Sequence, residues 1–300
     1  MPSLAVFSPA KTNLFLAVTG RRPDGFHELV SVVTPLTIGD TIRIRVSETE
    51  GTETTLTCDD PAVPTGAENL AFVAAEAFRA AVGLREAIEI HLEKRLPMGA
   101  GLGGGSSNAT AVLRALNRIV DRPLPAARLA EIAARCGSDC PLFLVDGPCL
   151  MRGRGEHIEP LGERAAARLR GQRLLLFKPD FSISTPWAYG RLAADPARHY
   201  LPATEAEARV RAWMTGEAEL REFLFNSLEA VVFRKFVGLA TLADLLKAER
   251  GVEGVLLSGS GSASFALLGA EADSAGLQAI VRDALGPAVW LAEVAPDGML

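Results

Sequence analysis

Apolar and polar residues recur along the chain with two different periods. Alternation with a period of two, clearest at Ile88, Ile90 and Leu92, places successive side chains on opposite faces and predicts strands. Apolar residues spaced three and four apart predict amphipathic helices. Strands are expected at residues 4–7, 14–19, 30–36, 41–46, 87–94, 174–177 and 289–295, with a strand, turn and strand at 255–268. Helices are expected at residues 69–82, 106–120, 126–136, 205–214, 223–233, 236–249 and 272–285.

The length predicts more than one domain. At roughly 150 residues for a typical domain, 300 residues correspond to about two. Residues 147–173 are rich in Gly, Pro, Arg and Ala, and this stretch is the best candidate for the boundary. We therefore expect an N-terminal domain at residues 1–160 and a C-terminal domain at residues 161–300.

Composition and charge narrow the class of protein. With 48% hydrophobic and 22% charged residues, the chain has the composition of a soluble globular protein, which excludes disorder, collagen and coiled coil. The net charge is −5 and the charges are scattered, so no basic face is expected to neutralise a nucleic-acid backbone. No apolar run approaches the roughly 18 residues that span a bilayer. We expect a small-molecule substrate and no nucleic-acid, membrane or obligate protein partner.

The N-terminus and the cysteines favour a cytoplasmic location. The first residues lack a basic segment, and Pro9 and Lys11 interrupt their apolar stretch, so we expect no signal peptide. Four cysteines are few for a secreted disulfide framework of this size. Cys136 and Cys140 stand four apart, and without a nearby histidine we expect them to be small buried side chains on one helix face rather than metal ligands.

The most specific motif is a glycine-rich loop between the strand at 87–94 and the helix at 106–120. Five of the seven residues from Gly99 to Gly105 are glycine. Backbone N–H groups without a neighbouring Cβ approach an anion closely, and the amides of the following helix add partial positive charge. Ser106 and Ser107 supply hydroxyls as helix caps or as contacts to phosphate and Mg²⁺. The loop therefore predicts a phosphate-binding cradle; the alternative is a flexible hinge.

Two other nucleotide motifs fit less well. No lysine follows these glycines, so the loop is not a P-loop. Gly99, Gly101 and Gly104 match the dinucleotide pattern G-x-G-x-x-G, but Asp121 comes directly after the helix with no second strand before it.

Two further segments offer the positive charge and the base that the loop lacks. Lys11, one of few lysines, follows what we expect to be a turn at Pro9, and Asp139 follows a helix in a tight turn. A carboxylate kept ionised near a lysine can take a proton from an attacking hydroxyl, and the lysine stabilises charge on the transferred phosphoryl group. Taken singly, each is also an ordinary turn residue. A third glycine segment, Ser258 to Ser262, is either a hairpin turn or a second phosphate contact.

Together these segments resemble the GHMP kinase family. Its motifs are Pro-x-x-x-Asn near the N-terminus, Pro-x-Gly-x-Gly-Leu-Gly-Ser/Gly-Ser-Ser-Ala/Asn, and a glycine turn near the C-terminus. They stand here as Pro9 to Asn13, Pro97 to Asn108 and Ser258 to Ser262, in the family's order and approximate spacing. Residues 20–27 and 137–141 further resemble members whose substrate is a cytidine diphosphate-linked methylerythritol.

The resemblance implies a fold and a reaction. The fold is α+β, a two-domain GHMP kinase fold with a ribosomal-protein-S5-like N-terminal domain, a ferredoxin-like C-terminal domain and the active site in the cleft between them. The reaction is ATP-dependent phosphorylation of the 2-hydroxyl of that alcohol, in the non-mevalonate isoprenoid route, with ATP as phosphoryl donor and Mg²⁺.

The resemblance also assigns residues. Asp139 is the general base and Lys11 its charge partner, while Phe26 stacks on the cytosine and His27 bonds its edge. Other substrate contacts are Asn13, Thr185 and Tyr189, and Ser107 is a candidate Mg²⁺ contact. The third glycine motif is Gly259, Ser260 and Gly261. The ATP-binding residues are Pro97, Met98, Gly99, Ala100, Gly101, Leu102, Gly103, Gly104, Gly105, Ser106 and Ser107.

Two alternatives remain at this stage. One is another kinase of the family, acting on a mevalonate-like, homoserine or sugar alcohol; the aromatic Phe26 argues against it because a flat ring suits a nucleobase. The other is a nucleotide-binding regulator of the same fold without turnover, which the presence of both Lys11 and Asp139 disfavours.

Overall fold

The computed structural model describes residues 3–51, 53–121 and 123–296. These residues form both strands and helices, which follow one another in no regular order. In chain order the elements are β1 (Ser3–Arg21), β2 (His27–Glu50), β3 (Thr54–Cys58), α1 (Leu70–Val82), β4 (Glu86–Glu93), α2 (Gly104–Ile119), α3 (Ala126–Cys136), a 3₁₀ helix (Cys140–Leu144), β5 (Cys149–Gly153), β6 (His157–Pro160), α4 (Glu163–Ala167), β7 (Arg173–Lys178), α5 (Thr185–Ala193), α6 (Pro196–His199), α7 (Ala203–Thr215), α8 (Leu220–Phe223), β8 (Phe225–Asn226), α9 (Glu229–Lys235), α10 (Val237–Ala248), β9 (Val252–Leu257), β10 (Ser264–Leu268), α11 (Ser274–Leu285) and β11 (Trp290–Val294).

The chain divides into two compact units, neither of which is continuous in sequence. The first unit takes the chain up to Ala10, then Ile38–Met98 and Gly103–Asp146. The second unit takes Lys11–Thr37, Gly99–Leu102 and the chain from Gly147 onward. The predicted domains at 1–160 and 161–300 are each continuous in sequence, unlike these two units, and they stay a prediction.

The first unit is a sheet covered by three helices. β4 pairs antiparallel with the second half of β2, Ile44 standing opposite Ile90, and β3 pairs with β4 in parallel. Alternate residues of these strands are buried because one face packs against α1, α2 and α3. Buried side chains of this core include Ile42, Ile44, Phe78, Ile88, Leu92, Val112, Leu113, Leu116 and Ile132.

The second unit contains an antiparallel sheet of four strands in the order β11-β7-β10-β9. Both neighbours of β7 are antiparallel to it, and Leu176 stands opposite Phe265 on one side and Ala292 on the other. Helices α10 and α11 contribute to the core built on this sheet. In the same unit, the first half of β2 pairs with β5, and β1 pairs in parallel with the short β8.

The structure corrects the prediction for the N-terminal strand. The turn expected at Pro9 does not exist, because residues 3–21 form one strand. Gly39 accounts for this: a Cβ there would lie 2.2 Å from the Ser8 carbonyl oxygen and 2.8 Å from the Pro9 Cα, so only a glycine lets β2 approach β1 at this point.

One further prediction was wrong. The helix expected at 223–233 is interrupted, because the Asn226 side-chain oxygen accepts a hydrogen bond from the Leu228 N–H (2.9 Å) and residues 225–226 join β1 as a strand. The stretch 147–173, the candidate boundary, holds β5, β6 and α4, which were not predicted. The elements β3 and α5, at Thr54–Cys58 and Thr185–Ala193, were not predicted.

All four cysteines are unpaired thiols, and three of them are buried. Cys136 ends α3 and Cys140 begins the 3₁₀ helix, so they do not share one helix face as predicted. Burial raises the pKa of the Cys140 thiol and of the Cys149 thiol to about 12.

Among the residues described, no helix is both long enough and apolar enough to cross a membrane.

Candidate active site

In the first unit, the glycine-rich loop ends at the N-terminus of a long helix. The Gly103 backbone adopts the left-handed conformation (φ 72°) and precedes α2. The helical hydrogen bonds begin with the Ser107 N–H, which donates to the Gly103 carbonyl oxygen (2.9 Å). The N–H groups of residues 104–106 precede that pattern and point along the helix axis, as in an anion-binding site. Gly105 is exposed, so a ligand can reach these amides.

A buried carboxylate fixes both ends of this loop. Asp40 has no exposed surface. Its Oδ1 accepts hydrogen bonds from the N–H groups of Arg95 (2.7 Å) and Leu96 (2.9 Å), just before the loop. Its Oδ2 accepts from the Lys94 Nζ (2.5 Å), also before the loop, and from the Asn108 Nδ2 (3.0 Å), which lies just after the loop. Asp40 was not predicted from the sequence; its signal there is a carboxylate between Gly39 and an apolar alternating strand.

The hydroxyl of Ser107 is already engaged. Ser107 is 1% exposed, and its Oγ accepts a hydrogen bond from the Ser8 Oγ (2.8 Å). The Asn108 Nδ2 donates to the same Ser8 hydroxyl (2.9 Å). A hydroxyl oxygen that accepts one hydrogen bond keeps a second lone pair, and the contact from Ser107 to Mg²⁺ stays a prediction.

Asp139 lies in a turn between α3 and the 3₁₀ helix, as predicted. The Cys140 N–H closes this turn on the Gly137 carbonyl oxygen (3.1 Å). The Thr110 Oγ1 of α2 donates to the Cys140 carbonyl oxygen (2.7 Å), so the turn is fixed to the same helix whose N-terminus ends the glycine loop. Asp139 itself is half-buried.

In the second unit, the Lys11 ammonium is held by a relay of polar side chains. The Lys11 Nζ donates to the Asn13 Oδ1 (2.9 Å), and the Asn13 Nδ2 donates to the Ser31 Oγ (2.8 Å). The Ser31 hydroxyl donates in turn to the Phe15 carbonyl oxygen (2.6 Å). Lys11 and Asn13 are each only 6% exposed, so the cation has one preferred position. The Lys11 N–H also donates to the Leu102 carbonyl oxygen (2.9 Å), at the glycine loop.

Two glycine segments of this unit touch backbone to backbone. A Cβ on Gly101 would lie 2.4 Å from the Ser258 carbonyl oxygen, and a Cβ on Gly261 would lie 2.3 Å from the backbone of Ala100. The Ala263 N–H donates to the Ala100 carbonyl oxygen (2.9 Å). The third glycine segment, whose placement the sequence left open, therefore packs directly against residues 99–102.

The same turn has two further side-chain contacts. The Thr12 Oγ1 donates to the Ser258 Oγ (3.0 Å), and the hydroxyls of Thr185 and Ser260 are 2.8 Å apart. A Cβ added to Gly259 would lie 3.2 Å from the Asn13 Oδ1 and 3.3 Å from the Lys11 Nζ. The second unit thus brings together Lys11, Asn13, Thr185, the third glycine motif and residues 99–102.

An aromatic cluster surrounds His27. Its ring centroid lies 4.9 Å from that of Tyr189 and 6.0 Å from that of Tyr200, the latter at 87°. The His27 Nε2 is buried, and among the residues described it has no hydrogen-bond partner. Burial, with a smaller effect of Arg21, lowers the pKa of the imidazole, so the ring is neutral at neutral pH. The hydrogen-bonding position of its Nε2 is therefore unfilled by any described residue, and a ligand would reach it only after a neighbouring side chain moved.

Phe26, which precedes His27 in the sequence, has an exposed ring. It lies at the β1–β2 turn, which the Arg22 N–H closes by donating to the Phe26 carbonyl oxygen (2.8 Å). The ring is 49% exposed, and the Arg154 guanidinium lies 5.0 Å from its centroid. A planar ring with one open face and a nearby cation can stack on a base and attract an anion. Sequence analysis missed Tyr200 and Arg154, because neither lies in a motif and only the fold brings them here.

Two predicted ATP-binding residues lie at the entry to the loop. Pro97 is half-buried and Met98 is 46% exposed. Their contact with ATP stays a prediction, as does the pairing of Asp139 with Lys11.

Comparison with known proteins gives consistent results. Residues 69–147 match the family model of the GHMP kinases N terminal domain. The chain is 37% identical to the 4-diphosphocytidyl-2-C-methyl-D-erythritol kinase of Synechococcus sp. (strain CC9902), covering 99% of this chain and 98% of that protein. It is 38% identical to the kinase of the same name from Methylacidiphilum infernorum (isolate V4), covering 95% and 94%.

Two solved structures have a fold similar to that of this chain. A crystal structure of 4-(cytidine 5'-diphospho)-2C-methyl-D-erythritol kinase, 33% identical, superposes with a TM-score of 0.76 and covers 98% of this chain and 100% of that one. The mevalonate kinase of Methanococcus jannaschii reaches a TM-score of 0.74 at 13% identity, covering 99% of both chains, and this likeness shows the fold alone.

Proposed function

The chain belongs to the 4-diphosphocytidyl-2-C-methyl-D-erythritol kinases, and from that premise we propose which of its residues bind and phosphorylate the substrate. It is an ATP-dependent small-molecule kinase with the GHMP kinase fold. It phosphorylates the 2-hydroxyl of 4-diphosphocytidyl-2-C-methyl-D-erythritol, a step of isopentenyl diphosphate synthesis by the non-mevalonate route. The observation that carries this function is the similarity over nearly the whole chain to relatives of this one name.

For catalysis we propose Asp139 as the general base and Lys11 as its charge partner. A base in this reaction takes the proton from the substrate 2-hydroxyl as that oxygen attacks the γ-phosphorus in line with the departing ADP. The ammonium of Lys11, fixed by Asn13 and Ser31, supports the role of a stationary positive charge near the transferred group. Such charges act without reorganising, because their partners already hold them in place.

For ATP we propose binding of the phosphates by residues 97–107 and by the third glycine motif. The amides at the start of α2 supply donors and the positive end of a helix dipole. Gly101 and Gly261, packed against each other, support a shared phosphate-facing backbone in which no side chain intervenes. Mg²⁺ bound with ATP would neutralise the β- and γ-phosphate oxygens, and Ser107 is the candidate contact from the protein.

For the cytidine end we propose Phe26, His27 and Tyr189. The open face of Phe26 supports stacking on the cytosine, and the unpartnered Nε2 of His27 supports a hydrogen bond to the base edge. Asn13 and Thr185 would contact the remainder of the substrate. We also propose a cytoplasmic location, since the reaction consumes ATP.

A substrate panel tests this function. Release of ADP is measured with Mg²⁺ and ATP in the presence of the cytidine substrate, mevalonate, homoserine or galactose. We expect turnover with the cytidine substrate alone. Turnover with another alcohol would assign the chain to a different kinase of the same fold, and ATP binding without any turnover would make it a nucleotide-binding regulator.

A further inference from the structure

One side-chain amide, that of Asn226, holds the turn formed by Leu257 to Gly261. The Asn226 Nδ2 donates two hydrogen bonds, to the carbonyl oxygens of Leu257 and Gly259, both at 2.8 Å. Its Oδ1 accepts from the Leu228 N–H (2.9 Å), which leaves the amide one orientation that satisfies all three partners. Asn226 is 4% exposed, so water does not compete for these bonds.

A carboxyl group supports the start of the same turn. The Glu229 Oε1 accepts a hydrogen bond from the Leu257 N–H (2.9 Å). Burial raises the pKa of Glu229 to about 7, against smaller opposing effects of the Leu257 N–H and of Lys247 on α10. The segment from Asn226 to Glu229 therefore contacts the turn at three backbone groups. These are the carbonyl oxygens of Leu257 and Gly259 and the N–H of Leu257.

We propose that Asn226 is a positioning residue of the kinase: its amide sets the conformation of the turn at residues 257–261, and through the turn it sets the positions of Lys11, Asn13 and residues 99–102 of the glycine-rich loop. The proposal rests on the proposed function, since it assigns a role within the same site. Asn226 lies in none of the sequence motifs, and the interruption of the predicted helix at 223–233 is the local consequence of placing it there.

Three contacts transmit this effect within the second unit. Gly259, whose carbonyl oxygen accepts from Asn226, lies beside Lys11 and Asn13 without a side chain between them. Ser258 accepts from Thr12, the residue between those two. Gly261 packs on the backbone of Ala100, so rotation of the Gly259 peptide would change both the lysine side and the phosphate side of the turn.

Two substitutions separate positioning from packing. Asn226→Asp keeps the shape of the side chain but points a carboxylate at two carbonyl oxygens, whereas Asn226→Ala only removes the donors and leaves a void. At pH 8 we expect kcat/KM to fall about 100-fold in Asn226→Asp and about 10-fold in Asn226→Ala, with higher KM for ATP as well as lower kcat. A packing role predicts the opposite order, because the alanine leaves the larger void.

The pH profile gives a second readout. Protonation of the carboxylate introduced by Asn226→Asp restores one O–H donor, so we expect this variant to recover activity relative to wild type as the pH is lowered toward 6. Among the residues described, the charged groups near this position include Glu229, with Lys247 facing it, Lys11, and Arg209, whose guanidinium lies 4.7 Å from the ring centroid of Phe225. The same profile is therefore recorded in a Glu229→Gln background, which removes the titration of Glu229 and should keep the recovery.

Asn117→Asp is the matched control. The Asn117 amide closes the loop between α2 and α3 in the same way, accepting from the Leu124 N–H (2.6 Å) and donating to the Leu124 carbonyl oxygen (3.1 Å). We expect this variant to lose stability with unchanged KM values. If wild type turns over the cytidine substrate but the two Asp variants behave alike, or Asn226→Asp shows no recovery at low pH, the positioning role is overturned. If wild type itself is inactive, the proposed function fails instead.

Discussion

The proposed binding of the cytidine end of the substrate depends on single side chains. Phe26 presents nearly half of its surface to solvent, and His27 is neutral with a buried, unpartnered nitrogen among the residues described. An exposed phenyl ring is unfavourable in water, and a buried imidazole nitrogen without a hydrogen bond is unfavourable inside the protein; a bound pyrimidine that stacks on Phe26 and bonds His27 would remove both penalties. Tyrosine at position 26 would add a hydroxyl without changing the stacking face.

We expect Phe26→Ala to raise KM for the cytidine substrate by about 10- to 100-fold, the range of one lost base–aromatic stack. KM for ATP should not change, because the phosphate loop is built from other residues. Phe26→Tyr serves as the control and should retain wild-type KM values. Steady-state kinetics with each substrate varied in turn make the comparison, and an equal rise in both KM values would contradict stacking.

The role of Asp139 predicts a selective loss. Asp139→Asn keeps the size of the side chain but removes the base, so we expect kcat to fall by at least about 100-fold. ATP binding, followed by titration with a fluorescent analogue, and the thermal unfolding midpoint should stay near those of wild type. Turnover close to the wild-type rate would remove Asp139 from the mechanism.

At the scale of elements, the phosphate loop is anchored at both ends by one buried ion pair. Asp40 on β2 binds the N–H groups of Arg95 and Leu96, which lead into the loop, and the side chain of Asn108, which follows it in the first turns of α2. The Lys94 side chain that neutralises Asp40 is only 9% exposed. The loop therefore depends on a strand that is distant in sequence and carries none of the family motifs.

Breaking this pair should be costly. Asp40→Asn leaves the Lys94 ammonium buried without a counter-charge and sets an amide donor toward it, so we expect about 3–5 kcal/mol of lost stability in urea unfolding. Adding Lys94→Met to Asp40→Asn should recover part of that loss, because the unpaired charge is removed. A double variant less stable than the single one would show that the charge is not the cause.

Glu229 predicts a pH dependence of stability. Its pKa is about 7 in the folded chain against an ordinary value of 4.5, so between these values the folded chain binds more protons than the unfolded one. Stability from this group is complete below pH 4.5 and is lost as the pH rises from there through 7, by up to about 3 kcal/mol. Glu229→Gln should lack this slope in unfolding free energies measured from pH 5 to 8, and parallel profiles for both proteins would contradict the assignment.

The elements also show what the sequence could predict. Helices α1, α2 and α3 follow from periodicity, and the capping Asn69 marks where α1 begins. The long strand β1 was not predictable as one element, because Pro9 reads as a break until the Gly39 that lies against it is known. Motifs predicted site roles for Lys11, Asp139 and residues 97–107, and these roles stay predictions, but Asp40 and Asn226 make contacts across 56 or 33 residues of sequence, and no local pattern reports such contacts.

For the whole molecule, the two units share the chain in an interleaved way. The segment Lys11–Thr37 belongs to the second unit, although the residues directly before and after it belong to the first. One of its cores contains Leu16 and Val18 from β1 together with Leu228 and Val232. A piece cut at residue 160 would therefore lack part of its own core.

We expect residues 161–300, expressed alone, to lack the cooperative unfolding and the dispersed amide NMR spectrum of a folded domain. The reason is that side chains such as Leu228 and Val232 would lose their partners from β1. Co-expression with residues 1–160 should restore both properties. A cooperatively folded C-terminal piece would support the sequence-based division at 160 instead.

The contact between Gly101 and Gly261 limits which sequences this fold tolerates. Any side chain at position 101 is disfavoured for two reasons, because φ there is 85° and there is no space for a Cβ. At position 261 a side chain is disfavoured for one reason, the lack of space, since the backbone there is not left-handed. A larger residue at either position cannot be offset by a smaller one opposite, because the opposing atoms are main chain. Mutational drift can therefore change neither position without moving the main chain of the opposite segment.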